Sequence, residues 1–453
     1  MTSMPATMER PTAADPMAYP PAITSLEETG LSKELLSGLL LKTLHQREGL
    51  TGFEIADAVA LPFVVADELL VDLQYKRLVE VRETEGPSRS SYRFALTSAG
   101  HVRALEELSA NRYVGPAPVP LEQYLESVAR QSVSSVRIAR ERLEAALSEL
   151  VLPDGFLDVL GPAVNSGKSL FLYGDPGNGK TRIAEAVAES FGDAFFVPFA
   201  VELDGLTMVL FDPAHHEVIE ESAPSRSGPS LVREISEHDR RFILVRRPVV
   251  VAGGELDLDQ LDLRYDPYTR TYQAPIHLKA NGGVMVIDDL GRQRVPPREL
   301  LNRWIVPLEH RVDHLSLHSG KKITVPFDCL VIFSTNIEPS ELVEEAFLRR
   351  IHYKIHVGDP DPDQFDRIFA MCCSLRGIDY DAEAPELIRR EYYDEGRAIP
   401  RGCHPRDIVD HICDIAAFQN SEPKLSPELL RRACESYFVS VERSGGAPRP
   451  AEG

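Results

Sequence analysis

Apolar positions change their rhythm several times along the chain, and each change marks a boundary. Leu35, Leu39, Leu40 and Leu44 fall on one face of a helix. Thr51 opens a second, short helix, and Pro62 a third, in which Ala66, Leu69, Leu70 and Leu73 share a face. Residues 78–82 and 92–96 read as strands about a polar Gly86-Pro87-Ser88 turn, and a fourth helix starts at Ser98. Three helices, a hairpin and a helix therefore make one module over residues 25–112. Before it, residues 1–24 hold five prolines and little periodicity, the composition of a disordered arm.

Residues 113–150 predict a stiff proline-rich linker, from Val114 to Pro120, and then a solvated connector helix. From 151 to 357 apolar strands alternate with helices, which predicts an α/β fold with a parallel sheet. Over 358–442 only helices are expected, opening at Asp361-Pro362, near 384, at His404-Pro405 and at Ser426-Pro427. Residues 443–453 again lack periodicity and read as a disordered tail.

Composition narrows the class. With 70 acidic against 49 basic side chains the net charge is −21, which argues against general affinity for nucleic acid or anionic membranes. No apolar run reaches the roughly 18 residues of a membrane span and residues 1–10 hold no apolar core, so a cytoplasmic protein is expected. The six cysteines form no C-x-x-C pair and predict reduced, mostly buried thiols.

The chemistry concentrates after the apolar run 169–173. Gly174, Asp175, Pro176, Gly177, Asn178, Gly179, Lys180 and Thr181 follow it and lead into a helix-like stretch, the setting of a phosphate cradle rather than of an ordinary glycine turn. Loop N–H groups face a polyphosphate, Lys180 reaches its β and γ oxygens, and the Thr181 hydroxyl ligates Mg²⁺. A second buried-type strand, 283–287, ends in Asp288 and Asp289: Asp288 for the metal, Asp289 to polarise an attacking water. A third, 329–335, ends in Asn336, placed to orient that water. Arg349 and Arg350 close a further helix and are two candidates for a cation offered to developing phosphoryl charge. Arg406 stands in the first turn of a helix, where a cation opposes the helix dipole, and so invites a role toward phosphate.

In this order, residues 174–181, Asp288-Asp289, Asn336, Arg349-Arg350 and Pro405-Arg406 resemble Walker A, Walker B, sensor 1, arginine finger and sensor 2 of the AAA+ ATPases, over roughly residues 150–440. The resemblance implies ATP and Mg²⁺ as ligands, hydrolysis at the subunit interfaces of a homo-oligomeric ring, commonly a hexamer, and work done on a macromolecule. The segment 314–326 is similar to the hairpin before sensor 1 in the branch of MoxR-type chaperones and sigma-54 activators. Where many relatives have Glu, this chain has Asp289, shorter by one methylene or about 1.5 Å.

Lys180 and Asp288 stand far apart for one strand-helix-strand unit, so an insert is expected. It holds the polar loop 222–230, the pair His215-His216, read as a surface feature, and Tyr265, Tyr268 and Tyr272 as candidate substrate grips set against local packing. Module 25–112 resembles a winged-helix domain. It carries ten basic and fourteen acidic side chains, and its third helix turns Asp67, Glu68 and Asp72 outward. A protein client or adaptor is therefore favoured as its partner, with a DNA-binding regulator as the alternative.

Overall fold

The computed structural model describes residues 20–84, 86–192, 194–219, 238–342 and 348–438. The expected arm at 1–19, the polar loop 222–230 and the tail 443–453 lie outside the described residues.

The first unit contains α1 (Lys33–Gln46), β1 (Leu50–Thr51), α2 (Gly52–Ala58), α3 (Phe63–Tyr75), β2 (Val79–Thr84), β3 (Tyr92–Leu96) and α4 (Ser98–Ala110). Its sheet runs β1-β3-β2, all antiparallel. Helix starts are fixed by side chains: Ser32 accepts from Leu35 N, and Thr51 and Glu54 cap each other reciprocally. Leu36, Leu40, Ile55, Leu69, Leu70 and Phe94 form the core. Ile23 packs into it, and Pro21 bridges His238, so the end of the 1–24 stretch is ordered structure and not an arm.

The expected linker and solvated connector do not occur as such. β4 (Val119–Pro120) pairs with a strand of the insert, and α5 (Leu121–Arg130) and α6 (Arg140–Ala146) are separate helices. Tyr124 and Val128 of α5 enter the core of the insert; Leu143 and Leu147 enter that of the main sheet.

α7 (Phe156–Asn165), β5 (Leu170–Tyr173) and α8 (Lys180–Phe191) follow. Then the insert begins, with β6 (Ala194–Pro198), β7 (Ala200–Leu203), β8 (Leu206–Val209) and β9 (Phe242–Arg246), before β10 (Val249–Ala252) returns to the main sheet. β11 (Arg264–Asp266), β12 (Thr271–Gln273) and α9 (Ile276–Lys279) complete the insert and lead to β13 (Val284–Ile287). α10 (Pro297–Arg303), α11 (Ile305–His310), the hairpin β14 (Val312–Ser316) and β15 (Lys322–Pro326), β16 (Leu330–Thr335), α12 (Pro339–Leu342) and β17 (Tyr353–His356) end this part.

The main sheet has order β10-β13-β16-β5-β17, every neighbouring pair parallel. It is buried on both faces, as a parallel sheet must be when helices cover it: Leu172 and Ile332 pack toward α7 and α8, Phe171 and Phe333 toward α10 and α11. Simple alternation across 151–357 is corrected by the insert, whose sheet β11-β12-β8-β7-β4 is mixed and whose β6 and β9 form an antiparallel pair. The hairpin β14–β15 lies on the insert: Leu315, Leu317, Ile323 and Val325 share its core, and His318 at the tip meets Tyr272 Oη at 2.5 Å.

The first unit is seated on the insert as well. Arg241, with a fully buried side chain, donates to Asp239, Thr29 O, Pro118 O and Gln123 Oε1. Arg240 pairs with Asp57 at 2.7 Å, and Asn111 donates to Thr207 Oγ1 at 3.0 Å.

The helical unit comprises α13 (Pro362–Arg376), α14 (Glu383–Ile388), α15 (His404–Phe418) and α16 (Pro427–Tyr437) around Phe369, Ile388, Ile408 and Ile412. His404 is buried beside Tyr393 Oη (2.8 Å), and burial lowers its pKa to about 4; burial does the same to His216 in the insert. Both rings are neutral when folded, whereas in the unfolded chain they titrate near about 6.5. The unfolded chain therefore binds more protons below about pH 6.5, and stability falls as pH drops from there toward about 4. The thermal midpoint is expected to be lower at about pH 5 than at about pH 7, with the gap reduced in His404→Gln.

Candidate active site

Parallel strands all deliver their following loops to one edge, and ligand sites of such sheets lie in the crevice beyond those carboxyl ends. β5 delivers residues 174–179 there, β13 delivers Asp288 and Asp289, and β16, between them, delivers Asn336. Gly179, at φ 83°, turns the chain into α8, a 12-residue helix whose first N–H groups and dipole favour an anion.

Lys180 is only 5% exposed. Its Nζ donates to Gly174 O and Asp175 O, both at 2.9 Å, and to Asn336 Oδ1 at 2.7 Å. Burial lowers its pKa, against the opposing pull of Asp289, Asp288 and Asp175. Asn336 Nδ2 donates to Asp289 Oδ1 at 2.8 Å. An ammonium can only donate and a carboxylate only accept, so these two partners fix the orientation of the amide. Thr181 Oγ1 lies 3.0 Å from each carboxylate oxygen of Asp288. Hydroxyl and carboxylate side by side are a hard oxygen pair that suits Mg²⁺. Next to the buried cation and the open helix end they fit a nucleotide with its metal.

Asp289 has a left-handed backbone, φ 50°, which turns the chain sharply out of β13. Among the contacts that hold that turn, Leu290 N donates to Ser334 O at 2.8 Å, Arg292 N to Asp289 O at 3.0 Å and Gln293 Nε2 to Asp288 O at 2.6 Å. Gln293 is a bracing residue that sequence reasoning missed; only its position five residues past the acid could have flagged it.

Two adjoining sets, Lys180–Asn336–Asp289 and Thr181–Asp288, bring these five residues to one edge of the sheet. The remaining expected residues stand elsewhere. Arg350 donates to Glu309 of α11 at 2.6 Å, and Arg349 is exposed in the turn before β17. Arg406 is 63% exposed and bonded to its neighbour Asp407 at 2.8 Å, which supplies locally the anion that its place in the helix asks for. A different cation of the helical unit, Arg401, meets the glycine-rich loop at Asp175, 2.5 Å away.

One reading within the insert is corrected. His216 is buried, not on the surface: Nδ1 accepts from Asp212 N and Nε2 donates to Lys279 O, both at 2.9 Å. Among the described residues no group of three or more His, Cys, Asp or Glu is arranged to hold a metal ion. Of the tyrosines, Tyr272 is buried, Tyr265 stacks on His318 and exposed Tyr268 lies under the Arg112 guanidinium at 4.1 Å. Local packing accounts for Tyr265 and Tyr272. The six cysteines are free thiols, three of them buried.

Fold and site define an α/β protein with a glycine-rich loop at the carboxyl edge of a parallel sheet, followed by a helical unit. Residues 361–436, which span that unit, match a family described as a domain of unknown function, DUF8689. No curated protein matches the chain. Similar solved structures include RuvB of Thermotoga maritima, a Holliday junction branch migration motor, at 16% identity and TM-score 0.33, covering 66% of this chain and 70% of that one. Another is NtrX of Brucella abortus in complex with ADP, at 10% identity and TM-score 0.36, covering 80% of this chain and 62% of that one. Likeness this slight carries no functional information. Among the described residues, no helix is long and apolar enough to cross a membrane.

Proposed function

We propose that the protein is an AAA+ ATPase that works as a cytoplasmic homo-oligomeric ring, a hexamer by resemblance, and remodels protein clients. One observation carries the reading. Side chains up to 156 residues apart meet at one edge of the sheet in two adjoining hydrogen-bonded sets, Lys180–Asn336–Asp289 and Thr181–Asp288, with the cation, the hydroxyl, the acids and the amide each facing a chemically fitting partner.

Lys180 and the loop N–H groups bind the β and γ phosphates of ATP. Thr181 and Asp288 hold Mg²⁺, whose charge offsets that of the phosphate oxygens. Asp289, steadied by Asn336, accepts a proton from the attacking water. Arg349 or Arg350 of one subunit serves the site of the next, where a cation lowers the transition-state charge.

Residues 25–112 act as a winged-helix-like recruiting module. Two arginines of its hairpin are engaged: Arg89 holds Asp67 and Gln74 at 2.8 Å, and Arg93 holds Gly49 O at 2.7 Å. A surface with its arginines so occupied favours a protein partner over duplex DNA. Lys180→Ala is expected to abolish steady-state ATP turnover in the full chain, measured by phosphate release. Turnover that survives it would reject the ATPase reading, and salt-sensitive duplex binding by the full chain would replace the protein client with DNA.

A further inference from the structure

The phosphate loop carries an acid of its own. Asp175 is its second residue and is more than half exposed, and a carboxylate beside a polyphosphate site repels the ligand the loop is built to bind. The helical unit answers that charge. Arg401, 17% exposed, donates through Nη1 to Asp175 Oδ2 at 2.5 Å and to Asp359 Oδ1. Asn178 Nδ2 donates to the same Asp359 oxygen at 2.7 Å, while its Oδ1 accepts from Gly402 N at 3.0 Å. Cys403 closes the contact: a Cβ on Gly177 would come within 2.5 Å of its Sγ, so glycine at this place lets the helical unit reach the loop. Arg401 is also near enough to Lys180 for its charge to act on that ammonium.

We propose that Arg401 is a positioning residue that neutralises Asp175 and Asp359, so that the loop holds a nucleoside triphosphate tightly only while the helical unit is docked on it. The proposal rests on the ATP reading above. Arg401 acts through the two carboxylates and does not touch the phosphates. Lid docking and nucleotide retention are thereby one electrostatic event, because the unit that leaves takes the counter-charge with it.

The test is a titration of the full chain with a fluorescent, non-hydrolysable ATP analogue. Arg401→Ala is expected to weaken binding by about 10–100-fold, or about 1.4–2.7 kcal/mol. Asp175→Asn is expected to bind at least as tightly as the parent, and Asp175→Asn with Arg401→Ala to recover most of the loss. Arg401→Lys, which keeps the charge, stays within about threefold, and the Arg401→Ala deficit shrinks as salt rises. A double variant as weak as Arg401→Ala alone overturns the proposal, since the guanidinium would then act on the nucleotide directly. So does parent-like binding by Arg401→Ala, or weakened binding by Asp175→Asn, which decides the matter even if Arg401→Ala fails to fold. If neither the parent nor Lys180→Ala binds the analogue, the ATP reading falls and takes this one with it. Binding that depends on Lys180 but ignores Arg401 overturns this inference alone.

Discussion

Asp289→Asn is expected to lower steady-state ATP hydrolysis by about 10²–10⁴-fold, the usual contribution of a positioned general base. Nucleotide affinity is expected to stay within about threefold, because Asp288, not Asp289, stands beside Thr181. The substitution is a clean one for two reasons. Asp289 has φ 50°, and Asn is among the few residues that accept the left-handed region at little cost. The new carboxamide oxygen can still accept from Asn336 Nδ2, so the geometry persists while charge and basicity go. Phosphate release measures the rate and analogue titration the affinity. A rate within about tenfold of the parent would remove Asp289 from the role of base. The same variant loaded with ATP is expected to retain clients in a pull-down, which is the direct approach to the protein-remodelling proposal.

The main sheet and the core of the site were legible in the sequence because their information is local. Each of the three strands is an apolar run of four to six residues, and its chemistry is carried by the residues that immediately follow. The order of the strands places the three ends side by side, so residues chosen one by one converge. Arg401 was illegible for the opposite reason. It sits in an aperiodic loop, and its partners Asp175 and Asp359 are 226 and 42 residues away in the chain. Arg406 attracted attention through a local mismatch with the helix dipole, but Asp407 resolves that mismatch one residue on.

The insert showed in the spacing of Lys180 and Asp288, but its strands did not, for a related reason. Strands of three to five residues with partners as distant as β4 and β7 leave no periodicity to read. Val119 and Pro120 looked like linker because two paired residues have no pattern. His216 looked exposed beside His215, yet its ring replaces a backbone partner on each side: it caps Asp212 N and meets Lys279 O. In both cases a deciding partner, β7 for β4 and Lys279 O for the His216 ring, is distant in sequence, which residue identity does not encode.

Arg241→Ala is expected to destabilise the junction between the first unit and the insert by about 3–5 kcal/mol, the usual cost of removing one partner from a buried ion pair. Asp239 is 4% exposed and would be left charged without its cation; Thr29 O, Pro118 O and Gln123 Oε1 would lose their donor as well. These partners come from the start of the first unit and from the segment that joins it to the insert, so one side chain fastens three stretches of chain. Arg241→Ala is therefore expected to loosen residues 25–112 from the insert. Hydrogen exchange should rise around Thr29 and Pro118, with the first denaturant transition shifted down and the helical unit unaffected. If Asp239→Asn combined with Arg241→Met restores that transition, the damage lies in the stranded carboxylate. If exchange around Thr29 is unchanged in Arg241→Ala, the first unit is held to the insert by Arg240–Asp57 and Asn111–Thr207 instead.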